Sequence, residues 1–263
     1  MYLALKQGTC IDKQMTSNTD NLKVLMFDIE TAPNIGYTWG KYETNVIEFI
    51  QERYMLCFAA KWLGEKKIHV HALPDFKDYK KNPTSDKELV QKLWEMINEA
   101  DVVVAHNGDH FDIKVMNARF LANGLTPPSP YKTVDTYKVA KRKFSFNSNR
   151  LNDIGVALGV GSKVPTGGFS LWTGCMSGQA SSWRLMKKYN KMDVVLLEKV
   201  YLALRPWMPS HPNVGVLKGR HACTHCGSTN TQNRGYAYAK VYVSQRFQCK
   251  NCSAWGSAPI KKK

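Results

Sequence analysis

The chain has 263 residues, 43% of them hydrophobic, and 37 Lys and Arg against 21 Asp and Glu, for a net charge of +16. The hydrophobic share supports a core of ordinary size, one medium domain plus a small one, and no apolar run approaches the ~18 residues of a membrane span. The charge predicts a polyanionic partner, nucleic acid first, and it is uneven: no Asp or Glu follows Glu198, while eleven Lys and Arg do.

Residues 1–21 are polar and predict a flexible arm; they lack a basic stretch followed by an apolar one, so no secretory signal is expected. Residues 22–29 predict a strand buried on both faces. Residues 31–50, with Pro33, Gly36 and Gly40, predict a loop-rich crossing. Two strands follow over 54–63 and 67–73, joined by Gly64-Glu65. Leu89, Val90, Leu93, Met96 and Ile97 are spaced for a helix over 86–99, capped by Ser85 or Asp86. Residues 101–106 predict a short buried strand, 110–123 a helix stopped by Gly124, and 132–136 another short strand. Residues 148–159 predict a helix, 161–182 a Gly- and Ser-rich loop or lid, and 182–204 a strong helix. Arg205 to Pro212 reads as a linker. Beyond it lies a knuckle, then strands, then a second knuckle. Strands alternating with helices after an early meander predict an α/β fold, a mixed sheet flanked by helices.

Four of seven cysteines form two Cys-x-x-Cys pairs, Cys223/Cys226 and Cys249/Cys252; Cys10, Cys57 and Cys175 are scattered. That pattern predicts a reducing compartment, the cytoplasm, and a metal rather than a disulfide framework.

Asp28 and Glu30 are two apart, hence on one face of the first strand. Paired carboxylates on an apolar strand are costly unless paired or metal-bound, although a strand end reaching solvent explains them equally well. Asp112 falls in the first turn of a helix, where an acid also suits the helix dipole. Tyr189 and Asp193 are four apart on one helical face, where a half-buried hydrogen-bonding pair is the plainer explanation.

Together, Phe27-Asp28-Ile29-Glu30-Thr31, then Asn107 with Phe111-Asp112, then Tyr189 to Asp193 resemble the three motifs of the DEDD exonuclease superfamily, over about residues 22–204. Lys188 stands where a sibling branch has His, so the resemblance is to the tyrosine branch. The chain is similar to proofreading exonuclease domains of family B DNA polymerases and to stand-alone phage or bacterial versions. The resemblance implies a ribonuclease H-like fold and a 3′→5′ exonuclease with two Mg²⁺ or Mn²⁺ ions ~4 Å apart. One ion would be held by Asp28, Glu30 and Asp193, and the second by Asp28, with Asp112 through water. Tyr189 would orient the attacking water, with Glu30 helping.

Thr31, Asn107 and Phe111 are further candidates to meet the 3′ end, with core packing the alternative for Phe111. Lys163, with Phe169 and Trp172, would cover the bound strand. Asp135 ranks below the four acids, and His106 and His110 are more simply structural.

The two knuckles, 22 residues apart, look like a zinc ribbon with one structural Zn²⁺ held by Cys223, Cys226, Cys249 and Cys252. Around it Arg234, Lys240, Arg246 and Lys261 to Lys263 interleave with Tyr236, Tyr238, Tyr242 and Trp255, which suits single-strand binding. The expected organisation is an arm (1–21), a ribonuclease H-like domain (22–205), a linker (206–218) and a zinc ribbon (219–263). DNA is the expected substrate ahead of RNA, with no membrane partner. A non-catalytic nucleic-acid-binding protein and a subunit recruited to replication or recombination proteins are the competing readings.

Overall fold

The computed structural model describes residues 22–43, 45–219 and 221–260. The expected arm, Arg220 and the basic residues 261–263 lie outside them. The first apolar run is strand β1 (Val24–Thr31), which extends past its hydrophobic stretch to include Asp28 and Glu30. The crossing expected to be irregular folds instead into an antiparallel ribbon, β2 (Ile35–Tyr37) with β3 (Glu48–Gln51). Strands β4 (Met55–Trp62) and β5 (His69–Ala72) follow as the alternation predicts.

Helix α1 (Lys87–Asn98) buries the five apolar positions that announce it, with Asp86 at its N-cap position. The Asp86 carboxylate does not cap that helix. It accepts the Met55 amide at 2.9 Å and two Arg119 guanidinium bonds at 2.7 Å. A buried acid thereby ties β4 to both flanking helices, and its bidentate partner is what makes its burial tolerable.

Strand β6 (Val102–Ala105) leads to helix α2 (Asp112–Ala122), and Gly124 closes that helix at φ +73°. Strand β7 (Lys132–Asp135) runs straight into α3 (Thr136–Lys143), a helix additional to the expected elements. Asp135 caps it by accepting the Tyr137 and Lys138 amides. Helices α4 (Leu151–Ala157), α5 (Ser170–Met176) and α6 (Ala180–Leu204) complete the unit, α5 lying inside the stretch expected to be loop.

The five-stranded sheet has the order β5-β4-β1-β6-β7, antiparallel on the β4 side and parallel on the β6 side. On β1, Leu25, Phe27 and Ile29 face one core, shared with α1 and α2. Val24 and Met26 face the other, shared with Ile154 of α4 and with Val194, Leu197 and Val200 of α6. Each such side chain contributes about 1.5–3 kcal/mol on burial. Asp28 and Glu30 continue the even-numbered face, so the strand's own period aims them at α6. Helices cover both faces, which makes this the expected α/β sheet of ribonuclease H type. No described helix is long and apolar enough to cross a membrane.

The C-terminal sheet is β8 (Thr231–Tyr238), β9 (Val243–Cys249) and β10 (Trp255–Pro259), antiparallel in the order β10-β9-β8. Strand β10, beyond the second knuckle, is additional to the expected pattern. Between the two units, the His211 ring stacks on Tyr201 of α6 and on His225 of the first knuckle. His211 Nδ1 donates to the Pro212 carbonyl at 2.7 Å, so Nε2 is the acceptor for the Tyr201 hydroxyl at 2.9 Å. Burial holds the His211 pKa down at about 4, so the ring stays neutral.

Candidate functional site

Asp28 lies opposite Ala59 and Glu30 opposite Cys57 of β4, and the register slips immediately after Glu30. That bulge ends the regular strand where its side chains turn from apolar to acidic. Helix α6 lies across this end and delivers Asp193 from one face. Carboxylate oxygens of Asp28, Glu30 and Asp193 all lie within 4.8 Å of one another.

Asp112 arrives from the first turn of α2. Its Oδ1 accepts the amide of Ile29, the residue between the first two acids, at 3.2 Å. The turn that places it is tightly specified. Asn107 has φ +61°, a left-handed conformation that Asn tolerates. A Cβ on Gly108 would stand 2.4 Å from the Ala105 Cβ. Asp135 then accepts the Asn107 and Asp109 amides at 2.9 and 3.3 Å. Asp135 is thus a brace for the turn that carries Asp112. His106 is likewise structural, held between Thr136 Oγ1 and the Asn149 carbonyl.

Burial raises the pKa of Asp28 strongly, with Asp112, Glu30 and Asp193 adding to it. Burial and Asp193 push Glu30 up to about 8. Burial lifts Asp112 to about 6, against the pull of the Ile29 amide. The acids resist ionising together because like charges share a dry site. One cation is already present: the Lys163 ammonium lies 2.6 Å from Asp193 Oδ2 and 3.0 Å from the Tyr189 hydroxyl. The lysine expected to cover a bound strand therefore sits against the acids themselves. Burial opposes its charge, but Asp193 and Tyr189 prevail and its pKa is raised. Burial, helped by Asp193, also raises Tyr189, which keeps its proton. Asp193 is 1% exposed, and its Oδ1 has no hydrogen-bond partner. An orphaned oxygen beside two further carboxylates is a hard donor set that fits a divalent cation.

The sequence reading missed Asn190. It is fully buried on α6 and donates to Asp28 Oδ2 at 2.6 Å. Its place three residues before Asp193, on the same helical face, was the available signal. Phe111 is 37% exposed beside the Arg53 guanidinium, so it is not core. Thr31 is half-buried just beyond the bulge. Trp172 packs edge-on against Tyr189, while Phe169 is exposed.

The two knuckles are built alike. The Gly227 amide closes the first onto the Cys223 carbonyl at φ +71°, and the Ser253 amide closes the second onto the Cys249 carbonyl at φ +63°. The amides of His225 and Asn251 each approach a cysteine sulfur at 3.4 Å. The four Sγ atoms lie within 4.8 Å of one another, with pairs at 3.5 and 3.6 Å. Tetrahedral coordination with ~2.3 Å metal–sulfur bonds requires sulfurs ~3.8 Å apart, so the set fits such an ion. Burial opposes ionisation of Cys223, yet hydrogen bonds from the His225 and Cys226 region pull its thiol down to about 6. The His225 ring is engaged by the Met208 carbonyl and His221 packs edge-on against Phe247, while the donors that gather are the four cysteines. On the sheet surface Arg234, Lys240 and Arg246 are exposed among Tyr236, Tyr238 and Tyr242, and Arg246 lies over the Trp255 ring at 5.0 Å.

Three DNA polymerases share sequence with this chain. A PolC-type DNA polymerase III of Ureaplasma parvum is 29% identical over 150 residues, covering 52% of this chain and 10% of the polymerase. DNA polymerases of Pyrococcus glycovorans and Pyrococcus horikoshii are 30% and 33% identical, each covering 41% of this chain, and 13% and 8% of their own lengths. The chain therefore spans about a tenth of the length of the curated relatives it matches. Among solved structures, the family B DNA polymerase of Pyrobaculum calidifontis aligns at TM-score 0.46 and 15% identity, over 85% of this chain and 32% of that one. A family model matches residues 25–205, the segment that holds all four acids and Tyr189, and the chain belongs to the RNase H superfamily.

Proposed function

We propose that this chain is a metal-dependent 3′→5′ exonuclease that shortens single-stranded DNA and releases nucleoside 5′-monophosphates. The observation that carries it is the convergence of Asp28, Glu30 and Asp193, carboxylates from two distant elements whose oxygens lie within 4.8 Å of one another, with Asp193 buried and its Oδ1 left without a hydrogen-bond partner. Asp28, Glu30, Asp112 and Asp193 would hold Mg²⁺ or Mn²⁺, which when bound supply an activated water and neutralise charge on the leaving oxygen. Tyr189 accepts from Lys163, so its own proton is available to orient that water. Asn190 fixes the Asp28 carboxylate, and Glu30, hard to ionise in this site, is suited to exchanging a proton. Polarity rests on the resemblance of the three motifs to those of DEDD exonucleases. The DNA polymerases among the relatives support DNA over RNA, and a role in replication, repair or recombination.

In this reading residues 22–205 form the nuclease domain and 206–218 the connection. Residues 219–263 form a module closed by one structural Zn²⁺ on the four cysteines. Arg234, Lys240 and Arg246 grip the strand there, and Thr31, Asn107, Phe111 and Lys163 meet its 3′ end. A 5′-labelled single strand incubated with Mg²⁺ or Mn²⁺ tests the activity. A ladder shortening from the 3′ end, absent with EDTA and in Asp28→Ala, is expected. A wild type that binds DNA yet leaves both DNA and RNA intact overturns the enzyme reading.

A further inference from the structure

A cleft of about 850 Å³ opens beside the carboxylates, and no acid lines it. Helix α3 contributes Tyr137, Lys138 and Lys141, the start of α4 contributes Arg150, and Asn107 and Lys163 are also in the lining. Two of these mark its inner end. Lys163 touches Asp193, and Asn107 begins the turn that carries Asp112.

The walls are tied together before any ligand arrives. His106, at the end of β6, bonds Thr136 of α3 on one side and the Asn149 carbonyl on the other. Asn152 of α4 accepts the Lys163 amide at 2.9 Å. Burial lowers the His106 pKa, so that ring braces the cleft without adding charge. Lys138 is engaged by Asp109 at 2.7 Å, whereas Lys141 and Arg150 are exposed and form no ion pair among the described residues. A prebuilt cleft with uncommitted cations, ending at a buried acid cluster, matches a polyanion whose end must be delivered there.

We propose that this cleft is the path of the substrate strand, with Lys141 and Arg150 neutralising successive phosphates of a single-stranded polynucleotide and Tyr137 flanking its bases. The proposal rests on the nuclease reading for its direction of travel, but binding tests it separately. Full-length protein with Lys141→Glu and Arg150→Glu is compared with Lys66→Glu and Lys67→Glu. The second pair makes the same charge change at the β4–β5 turn, at the far end of the sheet. Affinity of the zinc-replete proteins for fluorescein-labelled oligo-dT, oligo-rU and a blunt duplex is read by anisotropy over a range of salt, with no Mg²⁺ or Mn²⁺ added.

The cleft variant is expected to lose about tenfold or more in single-strand affinity, and its plot of log affinity against log salt to flatten by about 1.4. The control is expected to stay within about twofold. Loss on DNA, on RNA or on both supports the path and names the strand it takes. Unchanged single-strand binding, equal loss in both variants, or loss confined to the duplex overturns it. Lys141→Ala with Arg150→Ala, a milder change, repeats the test should the charge reversals reduce folded yield. A wild type without turnover would sink the nuclease reading while leaving the anisotropy result to decide the cleft.

Discussion

The acidic cluster and the cysteine centre are both donor sets for metal, and they are built in opposite ways. The cysteines come as two short loops that each close their own turn, around a small core of Cys223, Cys249 and Ala254, with Phe247 buried nearby in the sheet. Among the described residues Phe247 is that module's one large fully buried side chain, so on the proposed reading the ion would be part of its fold. The acids are guests of a sheet whose cores close without them. There a bound metal would relieve a strain that folding imposes. A site that folds with its metal is legible in local spacing; a site that a fold assembles is not.

The largest expected effect follows from the first half of that contrast. Structural zinc is worth about 10–16 kcal/mol in small modules, so Cys249→Ser should unfold residues 221–260. The sheet of β1, β4 and β6 should stay protected in hydrogen exchange. Protection surviving in β8 and β9 would show that the module folds without its ion.

The converse holds for the acids. Asp193→Asn should lower turnover on the order of 10³-fold, about 4 kcal/mol of transition-state stabilisation. Zinc-replete and without added Mg²⁺ or Mn²⁺, it should melt close to the wild type, because the lost Lys163 ion pair is offset by relief of the like charges on Asp28 and Glu30. A markedly lower melting temperature would mean that Asp193 holds the fold together.

Asn190→Ala lies between these cases. Losing the bond to Asp28 should weaken Mn²⁺ binding by about 10–100-fold and cost about 1–3 kcal/mol of stability. Unaltered Mn²⁺ affinity would remove Asn190 from the site's support.

Titration sharpens the comparison further. Glu30 is raised from 4.5 to about 8, so the metal-free folded state keeps protons that the unfolded chain releases. The contribution of Glu30 to stability is therefore full below about pH 4.5, declines as pH rises, and is lost through about 8. Cation binding must displace the same protons, so Mn²⁺ affinity should climb across that window. Melting curves of zinc-replete wild type and Glu30→Gln, with no Mg²⁺ or Mn²⁺ added, check this: the slope should be shallower in the variant, and identical slopes would contradict it.

The smallest effect separates the two knuckles. Ser253→Gly, at φ +63°, should stabilise the module by about 1 kcal/mol, and Gly227→Ala, at φ +71°, should weaken it by about 1–2 kcal/mol. Chelator-competition melts would register both, and effects of the same sign would break the parallel between the turns.

What the sequence revealed follows the same division. The strands β1, β4 and β6 and helices α1, α2 and α6 carry apolar periods, and period two alone put Asp28 and Glu30 on one face. Helix α3 was invisible because Thr-Tyr-Lys-Val-Ala-Lys-Arg-Lys shows no apolar stripe; its cap, Asp135, was noticed as an acid but not as a brace. Helix α5 hid among glycines, and the β2–β3 ribbon among turn residues with both faces exposed. Asp86 was legible as a cap by position, but its partner Arg119 is a tertiary fact. Asn190 escaped because an amide on a helix announces nothing until Asp28 is known to lie beneath it.

The central claim is that three remote carboxylates form one divalent-cation site. Calorimetric titration of Mn²⁺ into zinc-replete protein, wild type beside Asp193→Asn, tests it most directly. The account predicts binding by the wild type with release of protons near neutral pH, and loss of that binding in the variant. Superimposable isotherms for the two proteins would contradict it.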